Sequence, residues 1–289
     1  MYQLPEFGLL SLAMMVCILT GGINLSLSSL SALCGIGSAF ILSSSLQLPA
    51  WILILVAMAF GLVVAILAGI VNGWFIAYVG VTPILVTVGT KAIYEGIGLI
   101  LTKGGSVSGF PESFFFIGGG AILGVPFPLI IFIVISGITW LLLQKSPWGE
   151  RVYMIGISPV VANFSGFAVK RILLQVYVYS ALLAGVAAMI MISRYNSGKV
   201  TLGSSYLLQT VAATVLGGVS ISGGKGKVSG VIMATVLLQF VSSGMNILGV
   251  NRFAILIIMG MILIFALVIN YVMDVLGTRM HLRRSVKPA

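Results

Sequence analysis

Charge is scarce in this chain of 289 residues: charged residues make up 7% of it and hydrophobic residues 60%, with a mean hydropathy of +1.21. Water-soluble domains carry about 25% charged residues, so the composition excludes that class and indicates a polytopic membrane protein. The acidic residues number five, and His281 is the one histidine. Because the apolar segments hold no histidine and no paired carboxylates, we predict no catalytic residues and no enzymatic activity.

Cysteine is almost absent as well. Cys17 and Cys34 both lie in apolar runs and can form neither a disulfide framework nor a metal-ligand spacing, so metal and redox chemistry are not expected. The phosphate-binding pattern G-x-x-x-x-G-K-[ST] is also missing, because Val228 follows Lys227 where a hydroxyl residue is required. We therefore expect no cofactor, and ATP would have to be bound by a partner subunit.

Long apolar runs dominate what is present. A bilayer core about 30 Å thick requires about 20 helical residues, and nine stretches qualify. They cover roughly 5–20, 28–46, 50–72, 83–102, 120–143, 171–193, 205–218, 229–247 and 253–272. The runs lack the period-two alternation of barrel strands, so the predicted fold class is an all-α polytopic bundle. One transmembrane domain would then cover residues 1–289, with no soluble domain.

The net charge of +10 indicates topology rather than a nucleic-acid-binding surface. With the C-terminus inside, ten basic residues fall on inner segments: Lys145, Arg151, Lys170, Arg171, Lys225, Lys227, Arg279, Arg283, Arg284 and Lys287. Four fall on outer segments, namely Lys103, Arg194, Lys199 and Arg252. This bias predicts a cytoplasmic tail at 273–289 and, with nine spans, an outside Met1. We expect a lipid membrane and no nucleic acid as partner.

A polar stretch, TGGINLSLSS at 20–29, interrupts the first apolar region. Glycine allows the backbone to leave the helix, and nearby amide and hydroxyl side chains can pair the freed backbone groups or face a wet cavity. The alternative is that the small residues only let helices pack closely. We predict a broken, pathway-facing element, with candidate translocation residues Gly21, Gly22, Asn24, Ser26, Ser28, Ser29, Ser204 and Ser205.

The second half of the chain repeats this character. Ser28-Ser29 correspond to Ser204-Ser205 at an offset of 176 residues, and Gly80-Val81 to Gly249-Val250 at an offset of 169. Five predicted spans separate the two serine pairs, and an odd number inverts the second copy relative to the first. Such inverted repeats are typical of transport proteins. We predict repeats at roughly 5–118 and 171–272.

Several motifs occur in one order: TGGINLSLSSLSAL from residue 20, SPWGERVYMIGISPVVANFSGF from 146, VLGGVSISGGKGKVSGVIMATVL from 215 and SSGMNILGVNRF from 242. They resemble the inner-membrane permease subunits of ribose-type ABC sugar importers, whose first signature is Gly-Gly-Ile-Asp-Leu-Ser-Val-Gly-Ser. The likeness covers about 20–271. It implies translocation of a monosaccharide, driven by a separate ATPase.

The resemblance also implies partners. These are a second permease subunit in a homo- or heterodimer, two cytoplasmic ABC ATPase subunits or one double ATPase, and an extracytoplasmic sugar-binding protein. The ATPase would dock on the longest inner loop, 144–171, which is otherwise an ordinary solvated loop. The coupling residues implied are Trp148, Gly149, Arg151, Gly156, Ser158, Pro159, Ala162, Asn163, Ser165 and Gly166.

Some positions depart from the family pattern. Asn24 stands where the family carries Asp, Ser28 replaces a common Gly, and Glu95 occupies a position expected to be Arg. The family usually has ten spans with both ends inside, so an outside Met1 implies either a start later than the true one or a naturally short subunit. Nucleosides or a sugar-like signalling molecule remain alternative solutes.

Lys91 and Glu95 place two charges inside the span 83–102, four residues apart on one helix face. A lone charge at the bilayer centre costs roughly 2.5 to 3.5 kcal/mol, so each requires a partner. We favour a mutually neutralising pair. The alternative is a proton relay in a secondary transporter that works without an ATPase.

Overall fold

The computed structural model describes residues 2–44, 49–251, 254, 255, 257–266 and 268. Its main helices are α1 (Leu4–Ile18), α2 (Leu27–Leu42), α3 (Ala50–Trp74), α4 (Pro83–Thr102), α5 (Phe115–Gly119), α6 (Phe127–Gln144), α7 (Pro147–Ile157), α8 (Pro159–Phe164), α9 (Val169–Tyr195), α10 (Tyr206–Leu216), α11 (Val228–Ile247) and α12 (Ile257–Ala266). The strands found there are β1 (Ala121–Ile122) and β2 (Val125–Pro126), which form one hairpin. The all-α polytopic fold class is confirmed.

Each predicted span contains a helix. Five helices are long and apolar enough to cross a membrane, and four shorter apolar helices occupy the remaining predicted spans. The predicted start at 120 is wrong: residues 121–126 form the β1–β2 hairpin, and α6 begins at Phe127. Apolar composition alone cannot distinguish a hairpin from the first turns of a helix. Residues 45–48, the last residues of the span 253–272 and the tail 273–289 lie outside the described residues.

Helices α1 and α9 form the centre of the bundle. Fourteen of the fifteen residues of α1 are buried. In the most apolar 18 residues of α9, 78% are buried, whereas the corresponding share in α3, α4, α6 and α11 is 28%. Lipid does not drive helices together as water does, so close backbone contact has to supply the attraction. A Cβ on Gly69 of α3 would lie 2.7 Å from the Val178 Cα of α9. Glycine therefore permits direct backbone contact between the two helices.

Contacts between loops define two ends of the bundle. At the Arg194 end, Val107 pairs with Gly198, and the Gly118 amide donates to Ser193 Oγ at 2.8 Å. At the opposite, Trp148 end, Trp148 Nε1 donates to Gln175 Oε1 at 3.0 Å. Helix α1 begins at the Arg194 end, and α9 finishes there. The two central helices are therefore antiparallel.

A buried ion pair joins the start of α1 to the end of α9. Arg194 Nη1 donates to Glu6 Oε1 at 3.0 Å, and the Tyr206 hydroxyl donates to the same oxygen. Glu6 is fully buried, and its Oε2 has no hydrogen-bond partner among the described residues. In an apolar interior a carboxylate is tolerated only with such partners. The ion pair therefore holds the N-terminal end of α1 against the C-terminal end of α9.

We expect Arg194→Met to lower the free energy of unfolding by about 3 to 5 kcal/mol, because it leaves the Glu6 carboxylate buried without its cation. The double variant Glu6→Gln with Arg194→Met should recover most of that loss, since a neutral amide still accepts from Tyr206. Thermal unfolding of the purified protein in detergent measures both effects. A double variant no more stable than Arg194→Met would contradict the assignment.

Candidate functional site

Helix α1 ends in the predicted polar stretch, and the structure explains the presence of Gly21 and Gly22 there. Gly21 adopts φ +78°, its amide donates to the Ile18 carbonyl at 2.8 Å, and the Gly22 amide donates to the Cys17 carbonyl at 3.1 Å. This pair of bonds is the Schellman termination of a helix, which requires a left-handed residue that glycine adopts without strain. The predicted break in the helix is thus present, between α1 and α2.

A polar cluster covers the break. Asn24 Oδ1 accepts from the Ser26 amide at 3.2 Å and from Ser26 Oγ at 2.7 Å, and Asn72 of α3 donates to Ser26 Oγ at 3.0 Å. The Ile23 carbonyl accepts from Thr87 of α4 at 3.1 Å. Neighbouring helices thus pair the polar groups that the break frees, as burial away from water requires. Asn24 Nδ2 and Asn72 Oδ1 have no partner among the described residues.

The first set of predicted path residues is enclosed except for Gly21, which is exposed. Asn24, Ser26, Ser28 and Ser29 are all buried, and Gly22 packs against α9, where a Cβ would overlap the Tyr177 hydroxyl. Gly22 therefore allows a close approach of two elements rather than offering a surface to a solute.

The second set has a different environment. Ser204 and Ser205 immediately precede α10 and line a polar cavity of about 510 Å³ at the Arg194 end. The break between α1 and α2 lies at the Trp148 end, where the Gly224 amide donates to the Leu19 carbonyl at 2.9 Å. The two repeated polar stretches are consequently found at opposite ends of the bundle.

Helix α4 covers the residues predicted for it and carries the charge pair. Lys91 Nζ lies 3.9 Å from Glu95 Oε1, and Ser29 of α2 donates to that oxygen at 2.9 Å. The side chains are 35% and 41% exposed, respectively. The two charges meet along one helix face, and Glu95 also connects this face to the serines that start α2.

The loop 144–171 contains two short helices. Ser146 and Ser158 begin them, each accepting from a backbone amide three residues later, and Pro147 and Pro159 occupy the first helical positions. These are standard N-terminal signals. Arg151 lies over the Phe167 ring at 5.7 Å, which holds the second half of the loop against α7.

Helix α7 is fixed to the rest of the bundle at one crowded point. A Cβ on Gly156 would overlap the Leu19 carbonyl oxygen and the Gly224 amide nitrogen, and a Cβ on Gly149 would overlap the Leu143 carbonyl oxygen. The Tyr153 hydroxyl donates to the Gly226 carbonyl at 2.8 Å. Burial raises the pKa of Tyr153, so this hydroxyl remains a donor at neutral pH. The loop, the glycine-rich turn 217–227 and the end of α1 therefore meet here.

The remaining loop residues form an exposed face. Phe164 is 87% exposed, Ile157 72% and Val160 64%, while Ala162 is buried beneath them. Asn163, Ser165 and Gly166 are exposed, and Gly166 ends α8 with φ +82°. An exposed apolar patch of this kind is typical of a surface that meets a partner or the membrane.

Sequence reasoning did not identify three residues that form the polar cluster at the break and the buried ion pair. Asn72 lies within a long apolar helix, and Glu6 and Arg194 are separated by 188 residues. A lone polar residue in an apolar span was the available signal, because such residues are functional or paired.

Comparison with known proteins assigns the chain. Residues 1–267 match the family model described as branched-chain amino acid transport system / permease component. The chain belongs to this permease family. It is 34% identical over 270 residues to the ribose import permease protein RbsC of Bacillus subtilis (strain 168), covering 93% of this chain and 82% of that protein. It is also 34% identical over 249 residues to the autoinducer 2 import system permease protein LsrD of Escherichia coli (strain K12), covering 84% and 74%.

No solved structure matches the chain. The family resemblance stated from the sequence motifs is confirmed, and this membrane protein is a transport permease subunit.

We expect Gly22→Ala to lower the free energy of unfolding by about 1 to 3 kcal/mol, because its Cβ overlaps the Tyr177 hydroxyl. Tyr177→Phe alone should cost little, since that buried hydroxyl has no hydrogen-bond partner among the described residues. The double variant should recover part of the loss, the rest reflecting Pro83 Cγ at 3.2 Å. Unfolding curves of the three variants in detergent test this coupling, and strictly additive effects would refute it.

Proposed function

We propose that this chain forms, with a second permease subunit, the membrane pathway of an ABC importer for a monosaccharide or a related small polar solute. ATP is hydrolysed by separate ATPase subunits, and an extracytoplasmic binding protein delivers the solute. The ribose permease relative supports the monosaccharide. The autoinducer 2 relative favours a second candidate, a sugar-like signalling molecule.

One observation carries the proposal. The exposed face of α7 and α8 is connected to the break between α1 and α2 through Gly156, which contacts both the carbonyl that ends α1 and the glycine-rich turn. Packed elements transmit displacement because they cannot be compressed. A movement of α7 imposed by an ATPase would therefore be transmitted directly to the break between α1 and α2, with no further element between them.

Sidedness follows from the distribution of charge. The Trp148 end carries Lys145, Arg151, Lys170, Lys225 and Lys227, so we assign it to the cytoplasm and the Arg194 end to the outside. The same charge bias supports the proposal that the C-terminal tail is cytoplasmic.

The inverted-repeat proposal has geometric support. Helices α1 and α9, which start the two copies, are antiparallel, and the polar breaks that follow them lie at opposite ends. Gly80 and Gly249, equivalent in the sequence alignment, both adopt left-handed φ, at +84° and +73°.

We expect Gly156→Ala to abolish solute uptake, because its Cβ collides with backbone atoms of both Leu19 and Gly224. Gly137→Ala is the matched control, since a Cβ there meets nothing within 4 Å. A Cβ on Gly166 would meet nothing within 4 Å, but its φ of +82° strains any side chain, so Gly166→Arg alters both the exposed face and the end of α8. It should block ATPase docking and leave membrane insertion intact. Uptake by cells and co-purification of the ATPase are the measurements, and normal values for both Gly156→Ala and Gly166→Arg would remove the coupling assignment.

Replacement of Glu95 tests the competing transport mechanism. Glu95→Gln removes the charge but keeps an oxygen acceptor for Ser29, and a partly exposed ion pair contributes little energy, so uptake should stay within about twofold of wild type. Complete loss of uptake, with normal ATPase co-purification, would favour a proton relay.

A further inference from the structure

A polar cavity opens at the Arg194 end, between the start of α10 and the second half of α11. It measures about 510 Å³, within the range of roughly 300 to 1,000 Å³ typical of small-molecule sites. Gln3, Ser205, Gln209, Gln239 and Asn246 contribute to its wall. A smaller cavity of about 310 Å³ shares Ser204, Ser205 and Gln209 with it and extends to Met259. Gln209 therefore lies at the boundary of the two spaces.

The amides in this wall have hydrogen-bonding capacity to spare. Gln239 Nε2 donates to Gln3 Oε1 and to Ser243 Oγ, both at 3.1 Å, and Asn246 Nδ2 donates to the Ser242 carbonyl at 2.9 Å. These bonds use nitrogens and leave the amide oxygens of Gln239 and Asn246 as acceptors. Gln209 has no side-chain hydrogen bond within the described part of the chain, so both its oxygen and its nitrogen are available. Such a mixture suits hydroxyl groups, which donate and accept at once.

Charge is nearly absent from the wall. Lys199 is the one charged side chain among the described lining residues, and it is exposed. The nearby carboxylate of Glu6 is fully buried and already accepts from Arg194 and Tyr206. An ammonium group would consequently find no free carboxylate among the described wall residues. A zwitterionic amino acid could pair its carboxylate with Lys199, but its ammonium group would lose hydration without a compensating carboxylate, whereas a neutral polyol carries no such group.

Tyr206 gives the cavity a rigid side. Its ring stacks on Phe7 with centroids 5.7 Å apart, and its hydroxyl is held by Glu6. Fixed at both the ring and the hydroxyl, Tyr206 retains its position when the cavity is empty, which lowers the entropic cost of binding.

We infer that this cavity is the outward-side solute site and that it takes a neutral, polyhydroxylated solute of monosaccharide size, held by the amides of Gln209, Gln239 and Asn246. The inference rests on the proposed function, because it assumes that the Arg194 end faces the binding protein. It goes beyond that function by assigning the contact residues and by excluding amino acids, although the family description names them.

The test uses the complete importer, purified with its ATPase and binding protein and reconstituted into liposomes. Uptake is measured with radiolabelled D-ribose, D-xylose, D-glucose and L-leucine. We expect the wild-type complex to import a sugar and not L-leucine. Gln209→Leu and Gln239→Leu should each lower the rate of sugar uptake by about tenfold, because each removes hydrogen bonds to the solute. ATPase co-purification and basal ATP hydrolysis should stay at wild-type values.

Two further variants keep the test interpretable. Gln209→Asn retains the amide on a shorter side chain and should give intermediate uptake. Thr102→Val is the matched polar-to-apolar control, since Thr102 Oγ1 donates to the Gly98 carbonyl of its own helix, and it should leave uptake unchanged.

Wild-type uptake in both Leu variants would overturn the cavity assignment and leave the proposed function standing. Import of L-leucine in preference to every sugar would overturn the solute class in both proposals and leave only the ABC importer architecture. A wild-type complex that lacks an ATPase would instead overturn the proposed function, and the cavity assignment with it. A complex that has its ATPase but imports none of the three sugars would overturn the monosaccharide assignment and favour the sugar-like signalling molecule.

Discussion

The hydrogen bond from the Gly224 amide to the Leu19 carbonyl is the contact on which the arrangement of the other elements depends. A helix that stops inside a membrane protein leaves backbone carbonyls unpaired, and lipid offers no donor. Here the donor comes from a turn more than two hundred residues later, and that turn can approach only because Gly156 has no side chain in the way. One unpaired carbonyl thus brings together α1, the turn and α7. The loop 144–171 and the break between α1 and α2 are consequently held together by this one contact.

Sequence alone predicts the fold class and the places of nine helices, because a bilayer requires long apolar runs. Bilayer thickness does not set every helix length, since four of the nine have 10–17 residues. The sequence also predicts that α4 covers 83–102 and that Lys91 and Glu95 meet, since both follow from spacing within one helix. The Glu6–Arg194 pair could not be predicted, because nothing local relates two residues 188 positions apart. Gln209 was missed for a similar reason: one amide within an apolar run resembles an ordinary packing residue until the cavity beside it is seen.

Glycine composition was informative but ambiguous. Gly21 and Gly22 were predicted as path residues, and the structure gives them geometric reasons: a left-handed helix end and a close approach to Tyr177. A glycine that lines a pathway and a glycine that permits a tight contact look alike in a sequence, since both places require small side chains. Ser204 and Ser205, by contrast, line an open polar space. The two polar stretches that correspond in the sequence therefore have different surroundings in the structure.

The exposed apolar face of α7 and α8 bears on how the subunit is handled in a cell. Phe164, Ile157 and Val160 are exposed large hydrophobic side chains, and they lie at the cytoplasmic side in the proposed orientation. Quality-control proteases and chaperones recognise such surfaces, so a copy synthesised in excess of its ATPase would be degraded rather than accumulate. The abundance of this permease would then be set by the supply of its partner, and overproduction of the single chain would yield little intact protein.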